Sequence, residues 1–100
     1  MAKFEAHITC KRDDSEKVGQ VGKYYEWKFS AFDADPLMGD KPYCYLTNYD
    51  PNAQTLLNSM NDVCDELKAI GVEVLRRKIE RIIYDTKTGV NEIVWSSLSQ

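Results

Sequence analysis

No stretch of this sequence approaches the roughly 18 consecutive apolar residues that a membrane-spanning helix needs. The opening residues, "MAKFEAHITCKRDD", break into charge after Cys10 without the apolar core of a signal peptide. No membrane association is therefore expected. A basic excess is also lacking: 13 Lys and Arg stand against 16 Asp and Glu, a net charge of −3, which argues against a nonspecific nucleic-acid binder. Cysteines number three, an odd count with no CxxC-type pairing. That argues against a disulfide framework, and against a metal site built from Cys10, Cys44, Cys64 and His7. It fits reduced thiols in a cytoplasm.

Repeats, low-complexity tracts and interdomain linkers are absent as well, so residues 1–100 are expected to form a single domain. Its ordered core should run from about residue 3 to 95, ahead of a polar tail, "SSLSQ", at 96–100. An apolar share of 43% and a charged share of 29% are those of a globular protein rather than a disordered one.

What is present is patterned. Phe4, Ala6, Ile8 and Cys10 alternate with Glu5, His7, Thr9 and Lys11, the signature of a half-buried strand. "DDSE" at 13–16 offers a helix start, with Asp13 as cap and Glu16 completing a capping box. Val18 and Val21 give that helix a thin apolar stripe, and Gly19 and Gly22 predict that it is short or irregular. "YYEWKFSAF" at 24–32 reads as an aromatic strand and "YCYLTN" at 43–48 as its hairpin partner across "DADPLMGDKP".

The best-defined element follows. Asp50 is expected to cap it and Pro51 to take the first helical position. Leu56, Leu57, Met60, Val63, Cys64, Leu67 and Ile70 recur at helical spacing, and Gly71 closes the run. That apolar stripe reads as core, not as a cofactor-binding face, and no cofactor is expected.

"VEVLRRKIERIIYD" is ambiguous, because Leu75, Ile79, Ile82 and Ile83 suit a helix. The β-branched content and the Val72/Val74 alternation favour a strand, with a bulge that changes its parity. "TKTG" is a turn, and "VNEIVW" at 90–95 returns as a short fifth strand. The order β-α-β-β-α-β predicts an α+β, ferredoxin-like sandwich: an antiparallel sheet with two helices on one face and an extra C-terminal strand. In such a fold His7 and Thr9 look out from the open face.

Three residues there carry a family likeness. His7-Ile8-Thr9 has the H-x-T form of the LigT-like 2H phosphoesterases and resembles one lobe of those enzymes, which act on cyclic phosphates and RNA ends. The resemblance implies His7 as the acid/base group and Thr9 as a phosphate hydrogen-bond donor. The chain departs from the pattern in having a single histidine where that chemistry uses two. "YLT" at 45–47 occupies a corresponding place, but the phenol of Tyr45 is a weak substitute for an imidazole. "FEAHI", "Y.T" and "IERIIYD" are also similar to small uncharacterised bacterial proteins of ferredoxin-like build, a likeness that implies a fold but no activity.

The basic run Arg76, Arg77, Lys78 and Arg81 should neighbour His7 if its strand lies beside the first. With Glu5, Thr9, Tyr43, Tyr45 and Thr47 it makes a candidate binding face in which aromatics stack bases and cations hold phosphates. Against this stand plainer readings: His7 as a polar strand residue paired with Glu5 or a cross-strand neighbour, and the basic run as a solvated edge that discourages aggregation. "YCYLTN" lacks the RNA-recognition consensus, "DADPLMGD" fails the calcium-loop pattern, and "GQVG" is too short a match to a G-x-x-G loop to carry weight.

The expectation is thus a binding or regulatory protein that recognises a phosphate-bearing ligand, a nucleotide or an RNA end, rather than an enzyme. The alternatives are a phosphoesterase-like enzyme using His7 and a homodimerising structural module. Self-association as a homodimer through the C-terminal segment is expected in any case: Ile93, Val94 and Trp95 of the final strand would form the interface, unless Trp95 folds back on its own sheet.

Overall fold

The alternation in residues 3–11 becomes strand β1 (Lys3–Lys11), the middle of a five-stranded sheet. Its Ala6, Ile8 and Cys10 are completely buried. The computed structural model describes residues 3–31, 42–82 and 91–98, and in residues 91, 92 and 98 the backbone only. After β1 come a 3-10 turn (Arg12–Asp14), α1 (Ser15–Tyr25), β2 (Lys28–Ala31), β3 (Tyr43–Asp50), α2 (Ala53–Ala69), β4 (Val74–Ile82) and β5 (Asn91–Leu98). The strand order is β2-β3-β1-β4-β5 and every neighbouring pair is antiparallel. This is the βαββαβ order of a ferredoxin-like sandwich, with β5 added outside β4.

One core holds the layers together. Val18 and Val21 of α1 and Leu56, Met60, Val63 and Leu67 of α2 pack with Ile8, Cys10, Cys44, Leu46 and Ile79 of the sheet. Each large side chain so buried contributes about 1.5–3 kcal/mol. Of the helical glycines, Gly22 of α1 is the more crowded: a Cβ there would lie 2.5 Å from Leu46 Cδ2 and 3.0 Å from the Trp27 carbonyl. "GQVG" therefore lies within α1, and its second glycine serves packing rather than ligand binding.

Several boundaries differ from the sequence reading, each for a local reason. α1 starts at Ser15, because residues 12–14 close a 3-10 turn first and Asp13 makes no cap. α1 also absorbs Tyr24 and Tyr25 and ends at Glu26, whose φ of 63° is left-handed, so β2 keeps only four residues. Trp27 sits between the two, buried, its indole Nε1 donating to Ser59 Oγ at 3.1 Å. In α2 the cap is Asn52, whose Oδ1 accepts from Thr55 N at 3.0 Å; Asp50 instead accepts from Asn52 N at 2.8 Å, leaving Pro51 outside the helix. Gly71 (φ 84°) follows the C-terminal end of α2, as expected of a helix stop.

The ambiguous stretch is strand, and the bulge is there. Cys10 pairs with Val74 and Thr9 with Arg76, so Leu75 is the extra residue. β5 runs three residues into the polar tail, with Ser96 opposite Lys78 and Ser97 opposite Arg77. Trp95 is half-buried against the chain's own core, with the Arg77 guanidinium 5.1 Å from its ring centroid. It is thus no exposed interface anchor. "TKTG" and most of "DADPLMGDKP" lie outside the described residues. No helix among the described residues is long and apolar enough to cross a membrane.

Candidate binding face

Because the helices cover one side of the sheet, every second residue of β1, β3 and β4 looks out from the other. The register sets these residues in rows. Ser30, Tyr45, Thr9 and Arg76 face one another across β2, β3, β1 and β4. Lys28, Thr47, His7 and Lys78 form the next row, and Tyr49, Glu5 and Glu80 the one after. The first two rows, apart from Lys28, line a depression of about 680 Å³ together with Tyr43 and the bulged Leu75. That volume falls in the usual range for small-molecule pockets.

His7 is held on both sides. Its Nδ1 lies 3.2 Å from Thr47 Oγ1 and its Nε2 meets the Glu5 carboxylate, with Glu80 Oε1 4.0 Å away. Nε2 donates to Glu5, and in the neutral ring Nδ1 then accepts the Thr47 hydroxyl. Glu80, only 9% exposed, also takes the Lys78 ammonium at 2.6 Å. Burial and the facing Glu5 carboxylate raise the pKa of Tyr49, which keeps that phenol protonated beside the acid pair.

Arg76 differs from its neighbours. Its Nε is buried and has no hydrogen-bond partner among the described residues. A buried donor left in that condition costs roughly 1–3 kcal/mol. Thr9, Ser30, Tyr43 and Tyr45 line the same pocket as Arg76.

The structure therefore brings His7, Thr9, Tyr45, Thr47, Arg76 and Lys78 to one pocket, with Glu5 bound to it through His7. It does not bring Arg77 or Arg81. Arg77 pairs with Ile8 in register, so it faces the helices, where Nη1 donates to Asn61 Oδ1 at 3.1 Å. Arg81 pairs with Phe4 and shares that side. Strand alternation separates each from its basic neighbours. Glu80 and Ser30 were missed. Glu80 was legible as the next member of the Arg76/Lys78 alternation, whereas Ser30 was hidden in a strand whose aromatics suggested a longer element.

The three cysteines are free and buried on the opposite side. Burial pushes the Cys10 thiol up to about 12 and Cys64 to about 11, and raises Cys44. Among the described residues no group of three or more His, Cys, Asp or Glu is placed to hold a metal ion. No family model, curated protein or solved structure matches the chain, so its chemistry has to be argued from these rows of side chains.

Proposed function

We propose that this is a non-enzymatic binding or regulatory protein whose open sheet face recognises a phosphate-bearing ligand, a nucleotide or an RNA end. The observation that carries the reading is Arg76, which lines a pocket rich in hydroxyls and whose buried Nε has no hydrogen-bond partner among the described residues. A guanidinium fork matches two phosphate oxygens at once, and such charge-assisted bonds are about twice as strong as neutral ones. Thr9 and Ser30 supply further hydroxyl donors, and Lys78 adds charge on the same side.

The arrangement of His7 favours binding over catalysis. An acid/base group needs a ring nitrogen turned toward the reacting atom, and both nitrogens of His7 are engaged by Glu5 and Thr47. The likeness to 2H phosphoesterases thus reads as a phosphate-binding likeness, with Thr9 as donor and His7 as a residue that orients Glu5 and Thr47. Titrating the protein with adenosine monophosphate while following backbone amide resonances tests this. Shifts should concentrate on β1, β3 and β4, and Arg76→Ala should weaken binding about tenfold or more. Equal affinity in the variant, or no response to any phosphate compound, would sink the reading.

Three buried free thiols suit a reducing compartment, and we place the protein in the cytoplasm on that ground. A second reading, self-association along β5, rests on Ile93 and Val94, which are 52% and 42% exposed on the outermost strand. Light scattering of the full chain and of a chain ending at Gly89 tests it. A dimer lost on truncation supports the reading, and a monomer in both cases removes it.

A further inference from the structure

Resting on the phosphate reading, we infer that the ligand is a single mononucleotide, its base against the β3 tyrosines and its phosphate at Arg76, and not a nucleic-acid strand. The row Tyr45–Thr9–Arg76 crosses three adjacent strands in that order. Strands lie about 4.8 Å apart, so the backbones carrying ring and guanidinium are separated by roughly 10 Å, with a hydroxyl between them. Aromatic, hydroxyl, cation is also the order in which a nucleotide presents its complements: base, ribose, phosphate. Tyr43, two residues from Tyr45 on the same face and 41% exposed, widens the aromatic end. Tyrosine rings offer a stacking surface to any base.

The charges around this row set its limits. Next to Lys78 lie Glu5 and Glu80, and Glu80 already holds the Lys78 ammonium. Toward the other end Lys11 is matched by Glu73, with Nζ 3.8 Å from Oε1. A strand continuing along β4 in either direction would bring its next phosphate toward a carboxylate. The two cations that line the pocket, Arg76 and Lys78, stand two positions apart on β4 and thus about 7 Å, enough for one phosphate group, while Lys28 stands outside it at the β2 end of the Lys78 row. Proteins that track a strand instead carry a continuous basic groove.

Calorimetric titration of the intact protein with ribose 5-phosphate, the four ribonucleoside monophosphates and a 5′-phosphorylated tetranucleotide decides the matter. The monophosphates should bind about tenfold or more tightly than ribose 5-phosphate, and the tetranucleotide no more tightly than the best monophosphate. Tyr45→Ala or Tyr43→Ala should reduce the monophosphates toward the ribose 5-phosphate level, while Tyr45→Phe retains binding because it keeps the ring. Equal binding of ribose 5-phosphate and nucleotides would remove the base platform and leave the phosphate reading standing. Affinity that rises with chain length would overturn the mononucleotide and place an RNA end on the face. Failure of every probe to bind would end both. The comparison between ligands uses the unaltered chain, so a variant that does not fold leaves it decisive.

Discussion

The two faces of this sheet are written by the same strands and obey opposite rules. On the helix side, Ala6, Ile8, Cys10, Cys44 and Leu46 have no exposed surface, and their burial with α1 and α2 holds the domain together. On the open side, Glu5, His7, Thr9, Tyr45, Thr47, Arg76, Lys78 and Glu80 form rows of polar and charged groups held by hydrogen bonds and ion pairs. Alternation at period two lets one strand serve both tasks, so stability and ligand recognition should respond to different substitutions only one residue apart.

The largest effect expected on that division is in the core. Leu46→Ala, beneath Gly22, should lower unfolding free energy by about 2–5 kcal/mol in urea denaturation. Thr9→Ala, facing the other way, should change it by about 0.5 kcal/mol or less. Comparable costs for the two would mean the faces are not energetically separate.

Adjacent arginines give a sharper version. Arg77→Ala removes the bond to Asn61 and the contact with Trp95, and should cost about 1 kcal/mol without altering nucleotide affinity. Arg76→Ala should do the reverse, weakening binding while leaving the urea midpoint unchanged or slightly higher, since it deletes a buried donor that has no partner among the described residues. A swap of these outcomes would break the assignment of faces.

The smallest effect at ordinary pH belongs to the thiols. Cys10 and Cys64 ionise in the folded protein only near 12 and 11, against an ordinary value of 9.0, because burial disfavours the thiolate. Their folded pKa values are raised, so the associated stability is complete below pH 9 and falls away as the unfolded chain ionises between 9 and the folded values. The urea midpoint should therefore show no thiol-linked change from neutral pH to about 9 and then decline. A disulfide-exchange reagent should find fewer than two fast-reacting groups in the native protein. Two or more would put the helix-side face in doubt.

Much of this division was legible in the sequence, because β1 announces it in nine alternating residues and α2 in its apolar spacing. The order of elements then followed from connection rules. The errors lie where local signals compete. Asp50-Pro51 imitates a helix start so well that Asn52, the residue whose side chain caps α2, passed unnoticed. Tyr24 and Tyr25 have strand propensity, yet the helix runs through them until Glu26 turns it. The candidate face was legible where alternation is regular, at His7, Thr9, Tyr45, Thr47, Arg76 and Lys78, which line one pocket. It was misjudged at Arg77 and Arg81, because a basic run read as a patch ignores that its members point to alternate sides.

The bulge at Leu75 shows how narrowly that face is specified. Val74 and Ile79, an odd number of positions apart, both face the helices because one residue between them is left out of the pairing. Without that offset, Thr9 would meet Leu75, His7 would meet Arg77 and Glu5 would meet Ile79. Arg76, Lys78 and Glu80 would then be driven among the helices, while Ile79 lay in water. Deleting Leu75, by contrast, would set Val74 directly before Arg76 in a regular strand, with Cys10 still opposite Val74 and Thr9 still opposite Arg76. The bulge is thus the device by which a strand with one residue too many keeps its two sides, and a chain lacking Leu75 should still unfold cooperatively while its pocket loses one lining side chain.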